Sequence, residues 1–235
     1  MLNKTLKRFY KQASVAEADG GFAVHLDGRP VKTPAARRLA VPYRALAEAM
    51  AEEWQAQGEE IKPSSMPMTQ LASTALDRIA PERATILEQM IRFAETDLLC
   101  YRADFPPDLV ARQTAQWQPL LDWAAETMGA RLAVTSGVVA VSQPAEAVAA
   151  LQARLESYDP WQLCAAQAAC AASGSLVLGM AMAEGRLTGQ QTYEVSQLDE
   201  TYQIEQWGED YEAADRRAAL QRDILAAERL LTLLK

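Results

Sequence analysis

Imidazole is almost missing from this chain: its 235 residues include one histidine, His25, and three cysteines, Cys100, Cys164 and Cys170. Zinc and iron centres need several nitrogen or thiolate ligands at set spacings, and this inventory is too small to supply them. The odd cysteine count argues against a disulfide framework and fits buried thiols in a reducing compartment. Nucleophilic catalysis loses its usual base for the same reason. Gly174-Ser175-Leu176 lacks the glycine two positions after the serine that a nucleophile elbow requires. No phosphate-cradling glycine loop occurs either, so no nucleotide-driven cycle is expected. Positive charge is also in deficit. The formal net charge is −8, whereas a nucleic-acid binder needs a basic face to displace counterions.

Long apolar runs are scarce. The basic start at Met1–Lys11 is followed by no hydrophobic stretch of signal-peptide length. Being acid-free, it could pass for the beginning of a matrix-targeting presequence, but it is short. Trp161 to Ala183 is free of charge and long enough to span a bilayer. Gln162, Gln167, Ser173, Gly174 and Ser175 interrupt it, however. Small residues recur every four positions at Ala171, Ser175, Gly179 and Ala183. This reads as one helix, 160–184, buried inside a helical bundle, and no membrane insertion is expected.

What is present suggests an α+β protein. Phe22, Val24 and Leu26 alternate with Ala23 and His25, and Asp27-Gly28 supplies a turn. Arg29–Pro34 is extended, and Arg38–Val41 follows. A helix from Pro42 to about Gln57 is expected to close at Gly58. The proline-bearing stretch 61–67 marks a break. The expected organisation is a small β-rich N-terminal domain, residues 1–62, ending in a helix, and a larger, mainly α-helical domain, residues 63–235. Helices are expected at 68–79, 81–96, 107–128, 144–157, 160–184, 188–206 and 211–234, with Gly129, Gly185 and Gly208 near their ends. Segments 98–101 and 132–141 break the pattern, and either could be a strand. Trp54, before the Gly58 stop, is expected to be structural and to pack between the two domains.

The remaining signal is charge. Residues 1–44 carry nine Lys/Arg against three Asp/Glu. Leu187 to Asp215 carries eight acids and no base: Glu194, Asp199, Glu200, Glu205, Glu209, Asp210, Glu212 and Asp215. Aromatic and aliphatic side chains are threaded through them, Trp207 and Tyr211 among them. One reading is a solvated helix face over core residues. The other is a surface where charge steers a partner and aromatics anchor it, with Glu200, Glu205, Trp207, Glu209, Asp210 and Glu212 as its contacts. If helix persists through Gly208, then Glu205, Glu209 and Glu212 share a face and could do acid–base work. Solvated acids are the commoner meaning of such a row. Asp97 and Arg102 could pair, or a helix end could be tied by local hydrogen bonds there.

Ordered landmarks at matching intervals carry a family resemblance from Lys7 onward. They are Arg8-Phe9-Tyr10-Lys11; Gly21-Phe22 through Leu26-Asp27-Gly28-Arg29-Pro30-Val31-Lys32-Thr33-Pro34; and Glu53-Trp54 with Gln57. Met66-Pro67-Met68-Thr69, Thr96 through Arg102, Trp117-Gln118-Pro119-Leu120 and Ser175 through Gly179 follow. Leu198-Asp199-Glu200 with Gln203 and Trp207-Gly208-Glu209 close the set. The chain resembles the assembly chaperones of the F-type ATP synthase catalytic head, the family whose client is the alpha subunit. The resemblance implies a β-rich N-terminal domain joined to a larger helical one. It also implies no catalysis, and from the residue inventory no cofactor and no metal are expected. The implied partner is the unassembled alpha subunit, kept from aggregating until the beta subunit takes the chaperone's place. With the arginine-phenylalanine motif inside the first ten residues, a bacterial cytoplasmic member is expected, a mitochondrial matrix form being the alternative. The competing functions are an enzyme using carboxylates in an interdomain cleft and a permanent scaffold subunit.

Overall fold

The computed structural model describes residues 6–137 and 140–235. The chain divides into two compact units, Met1–Arg83 with Arg229–Lys235, and Ala84–Glu228. The α+β reading holds: the first unit contains a small sheet and the second is nearly all helix. The break falls at Arg83 rather than at residue 62, because of a tie between two helices. In α1 (Arg44–Gln55) the buried carboxylate of Glu53 accepts from the backbone N–H groups of Met68 (2.7 Å) and Thr69 (2.8 Å). These donors are at the start of α2 (Pro67–Thr74), where a helix has no internal acceptors for its first N–H groups. Glu53 therefore fastens α2 into the first unit. Gln57 secures the link between the two helices, donating to Glu53 O and Ser65 Oγ and accepting from Lys62 N.

In the first unit, β2 (Ala13–Ala18) and β3 (Gly21–Leu26) form an antiparallel hairpin in the register Ala13↔Leu26 to Ala18↔Gly21. Short strands β4 (Arg29–Pro30) and β5 (Ala40–Val41) pair with β3, and β1 (Leu6–Lys7) pairs with β6 (Glu60–Ile61). The expected extended runs are present. The hairpin partner β2 is the strand the sequence hid, since Ala-Ser-Val-Ala-Glu-Ala has little β preference. Gly21 must be glycine: a Cβ there would sit 2.2 Å from Val41 O, where β5 crosses, at a φ of +144°. Leu46 and Met50 of α1 are buried with Val24 and Val41 of the sheet. Each such side chain contributes roughly 1.5–3 kcal/mol of transfer free energy. The helix ends at Ala56, with right-handed backbone, so Gly58 is not its stop. After α2 the chain continues as a wide turn of π-helix, Ala75–Ile79.

The second unit begins in α3 (Arg83–Glu95), a 3-10 turn at Leu98–Cys100 and β7 (Tyr101–Arg102). Helix α4 (Pro107–Met128) follows, and β8 (Thr135–Ser136) pairs in parallel with β7. Of the two segments read as possible strands, 98–101 is mostly the 3-10 turn and gives only Tyr101 to this short ladder, while 132–141 gives Thr135 and Ser136; residues 138–139 of the second lie outside the described residues. Next come α5 (Ala145–Glu156), α6 (Pro160–Ser173), α7 (Leu176–Ala183), α8 (Gly189–Ser196), α9 (Leu198–Trp207) and α10 (Tyr211–Thr232). The expected single helix at 160–184 is therefore two. Gly174, left-handed at φ +70°, ends α6, and the Ser175 side chain accepts from Leu178 N to start α7. No described helix is long and apolar enough to cross a membrane. The expected helix at 188–206 is also two, divided at Gln197 (φ −101°, ψ 19°).

Asp97 and Arg102 do not pair. Asp97 is fully buried and accepts from Ser175 Oγ (2.7 Å), Val177 N (3.1 Å) and Leu99 N (3.0 Å), joining its own turn to the start of α7. Arg102 donates instead to Leu99 O and lies 5.5 Å from the Trp117 ring centroid. Trp117, fully buried in α4, donates through Nε1 to Val195 O of α8. All three cysteines are buried, and burial pushes the Cys100 and Cys164 thiols up to about 12.

Candidate functional site

The acidic tract runs through α8, α9 and the start of α10. A reciprocal cap opens α8: Thr188 Oγ1 accepts from Gln191 N, and Gln191 Oε1 accepts from Thr188 N. Leu198 and Tyr202 bury one side of α9. The Tyr202 hydroxyl donates to Asp108 of α4 at 3.0 Å, and the Arg112 guanidinium lies 5.3 Å from its ring centroid. Helix does not persist through Gly208. It turns out of the helix at φ +83° and ψ 169°, so Glu205 on one side and Glu209 and Glu212 on the other do not share a helix face. The acid–base row read from the sequence is thereby dismantled. Asp210 then accepts from Ala213 N and begins α10.

The tract is not without counter-charge. Arg112 of α4 pairs with Glu205 at 2.6 Å, Arg217 of α10 with Glu209 at 2.8 Å, and Arg216 with Glu200 at 3.7 Å. Three of the eight acids thus meet bases from outside the segment, which leaves residual negative charge on the tract. Asp199 is half-buried; burial raises its carboxyl despite a 2.7 Å hydrogen bond from Gln113. Four acids, Glu194, Asp210, Glu212 and Asp215, are exposed with no ion pair among the described residues; Glu194 and Asp210 accept hydrogen bonds from Gln190 and Ala213. The aromatics flanking Gly208 stand out: Trp207 is 78% exposed and Tyr211 81%. The site is therefore two displayed rings at a helix break, with Asp210, Glu212 and Asp215 next to them. Sequence reasoning missed Arg112 and Gln113. They sit about ninety residues upstream, and no local spacing announces such a pairing.

Among the described residues no group of three or more His, Cys, Asp or Glu side chains could hold a metal ion. The two other carboxyls raised by burial, Glu53 and Asp97, are taken up by backbone N–H groups at helix and turn starts.

The family model described as ATP12 chaperone protein matches residues 7–125. The chain belongs to this family. A mitochondrial atp12 protein of Schizosaccharomyces pombe is 27% identical over 216 residues, covering 87% of this chain and 74% of its own. The crystal structure of Atp12 from Paracoccus denitrificans superposes with a TM-score of 0.92 at 39% identity, covering 98% of this chain and 99% of that one. A crystal structure from Agrobacterium tumefaciens, also described as of a chaperone, matches with a TM-score of 0.92 at 45% identity, covering 97% and 86%. The ATP12 model ends at residue 125, within α4, and does not reach the aromatic and acidic surface. Several ATP12 landmarks have local work to do. Arg8 donates to the carbonyls of Tyr10, Lys11 and Gln55, Glu53 and Gln57 fasten α2, and Ser175 caps α7.

Proposed function

We propose that this protein binds the unassembled alpha subunit of F-type ATP synthase and keeps it from aggregating, without nucleotide, until the beta subunit replaces it. Membership of the ATP12 chaperone family supports an assembly role, and the resemblance noted in the sequence supplies the alpha subunit as client. The observation that carries the reading is the pair of exposed rings, Trp207 and Tyr211, displayed beside acids at the Gly208 break. An aromatic left in water on a folded chain is a ready anchor, and residual negative charge around it guides the encounter. In this reading Glu200, Glu205, Trp207, Glu209, Asp210 and Glu212 form the client-facing surface. A ring subunit exposes large apolar interfaces before its neighbours arrive. A binder that covers them less extensively than the native neighbour is displaced without an energy source. The two matched bacterial structures, at 39% and 45% identity, favour a bacterial cytoplasmic setting over the mitochondrial one.

The test is light scattering of purified alpha subunit on warming. Equimolar protein should suppress the rise with no ATP present. Unchanged aggregation, or suppression only when ATP is added, would overturn the proposal.

A further inference from the structure

The first unit holds a groove of about 990 Å³ that the client surface does not use. Leu39, Ile61 and Met66 contribute to a mainly apolar lining, and Trp54 forms part of the wall. Trp54 is itself held in place. The Tyr10 ring meets it edge-on at 5.8 Å, and the Tyr10 hydroxyl donates to Trp54 O at 2.6 Å. Its indole Nε1 is buried, so the ring meets the groove with its carbon edge rather than with its N–H. Asp77, the one carboxylate in the lining, is already engaged: its oxygens accept from Thr33 Oγ1 (2.8 Å) and Ala35 N (2.9 Å). The other charges in the lining are positive. Lys32 is exposed and has no ion pair among the described residues, and exposed Arg78 keeps a loose 3.7 Å contact with Glu82.

An apolar wall and two rim cations describe a specific complement. It is an extended polypeptide with a large apolar side chain for the groove and a carboxylate for Lys32 and Arg78. We infer that this groove docks such an acidic-apolar segment of a partner polypeptide. Its volume is at the upper end of what ligand sites occupy, which suits several residues of extended chain better than one small metabolite. The inference stands apart from the rings at Gly208, because every lining residue lies between Leu6 and Arg78. Its failure would leave the proposed function untouched.

The test uses the full chain labelled with ¹⁵N. The sequence has five tryptophans, and the Trp54→Phe variant identifies the Trp54 indole resonance. The probe is the end-capped peptide acetyl-Gly-Leu-Phe-Asp-Gly-amide. Its addition should shift the Trp54 indole resonance saturably, because the ring forms part of the groove wall. Reversing both cations, Lys32→Glu with Arg78→Glu, should weaken binding by about tenfold. Gln70→Trp, on an exposed position of α2 that lines the groove, should abolish it while leaving the melting temperature unchanged. No indole shift at about 1 mM peptide would overturn the inference. So would equal binding of a peptide with lysine in place of aspartate, which would leave only a generic apolar cavity. An indole shift that follows protein concentration without peptide would do the same, because the occupant would then be a second copy of this chain.

Discussion

Asp97 has no solvent around it, and its oxygens carry the start of α7. Replacing it with alanine strands the N–H groups of Leu99 and Val177 and the hydroxyl of Ser175 in the interior. Each stranded buried group costs about 1–3 kcal/mol, so Asp97→Ala should destabilise by about 3 kcal/mol or more. A lower urea midpoint at unchanged slope would register this. Glu184 behaves in the opposite sense. Burial pushes its carboxyl up, but Arg154 at 2.7 Å and the Tyr158 hydroxyl at 2.7 Å outweigh that and hold it below the ordinary glutamate value. A carboxyl lowered by folding stabilises above its unfolded pKa and loses that contribution as pH falls through its folded pKa. The urea midpoint of Glu184→Gln should therefore trail wild type at neutral pH, by no more than about 1 kcal/mol for a half-exposed pair. The gap should close on acidification; a constant gap would contradict the assignment. The local bonds of Asp97 and Arg102 to Leu99 agree with the reading of a tied helix end, but the distant partners of Asp97 and those of Glu184 were not legible beforehand. Asp97 reads beside Arg102 because they are close in sequence, while its real partners at Ser175 and Val177 lie some eighty residues away with no periodicity to connect them.

At the scale of elements, some boundaries were plain and others misled. Helix α4 was read to the residue, because Pro107 suits a first turn and Gly129, left-handed at φ +73°, suits a stop. The α6–α7 pair was read as one helix because small residues carry two meanings. Ala171, Ser175, Gly179 and Ala183 look like a close-packing stripe, yet Gly174-Ser175 is a stop followed by a start. Half of the stripe reading survives. A Cβ on Gly179 would lie 2.7 Å from Ala166 O and 3.0 Å from Cys170 Cβ, so α7 does approach α6 closely at this point. Gly179→Ala should cost about 1–3 kcal/mol, because the clash is with backbone that cannot simply rotate away. A drop in Tm of several degrees would show it. An unchanged Tm would mean the two helices can separate freely.

At the scale of the molecule, charge was legible as composition but not as arrangement. The sequence shows eight acids without a base; the fold returns Arg112, Arg216 and Arg217 to three of them. The clean test of steering is thus Glu212→Lys with Asp215→Lys, since reversing Glu209 would also break its bridge to Arg217. The double variant should slow association with the alpha subunit more than it speeds release, and wild-type binding should weaken with salt. Salt-independent binding would remove charge from the account. Trp207→Ala should leave stability within about 0.5 kcal/mol, as expected for an exposed side chain. Its affinity for the alpha subunit should fall by about thirtyfold if the ring is an anchor. Full affinity would return Trp207 to the status of a bystander.

The first unit takes its residues from two distant stretches, Met1–Arg83 and Arg229–Lys235, and Leu230 of the later one is buried. All of Ala84–Glu228 is synthesised between them. On the ribosome the sheet, α1 and α2 emerge early but wait, incomplete, while the whole helical unit is made. Joining stretches so far apart pays the chain entropy of a long loop, which slows the step but raises its cost only slowly with length. An assembly chaperone built this way finishes its own assembly only after translation has passed residue 235.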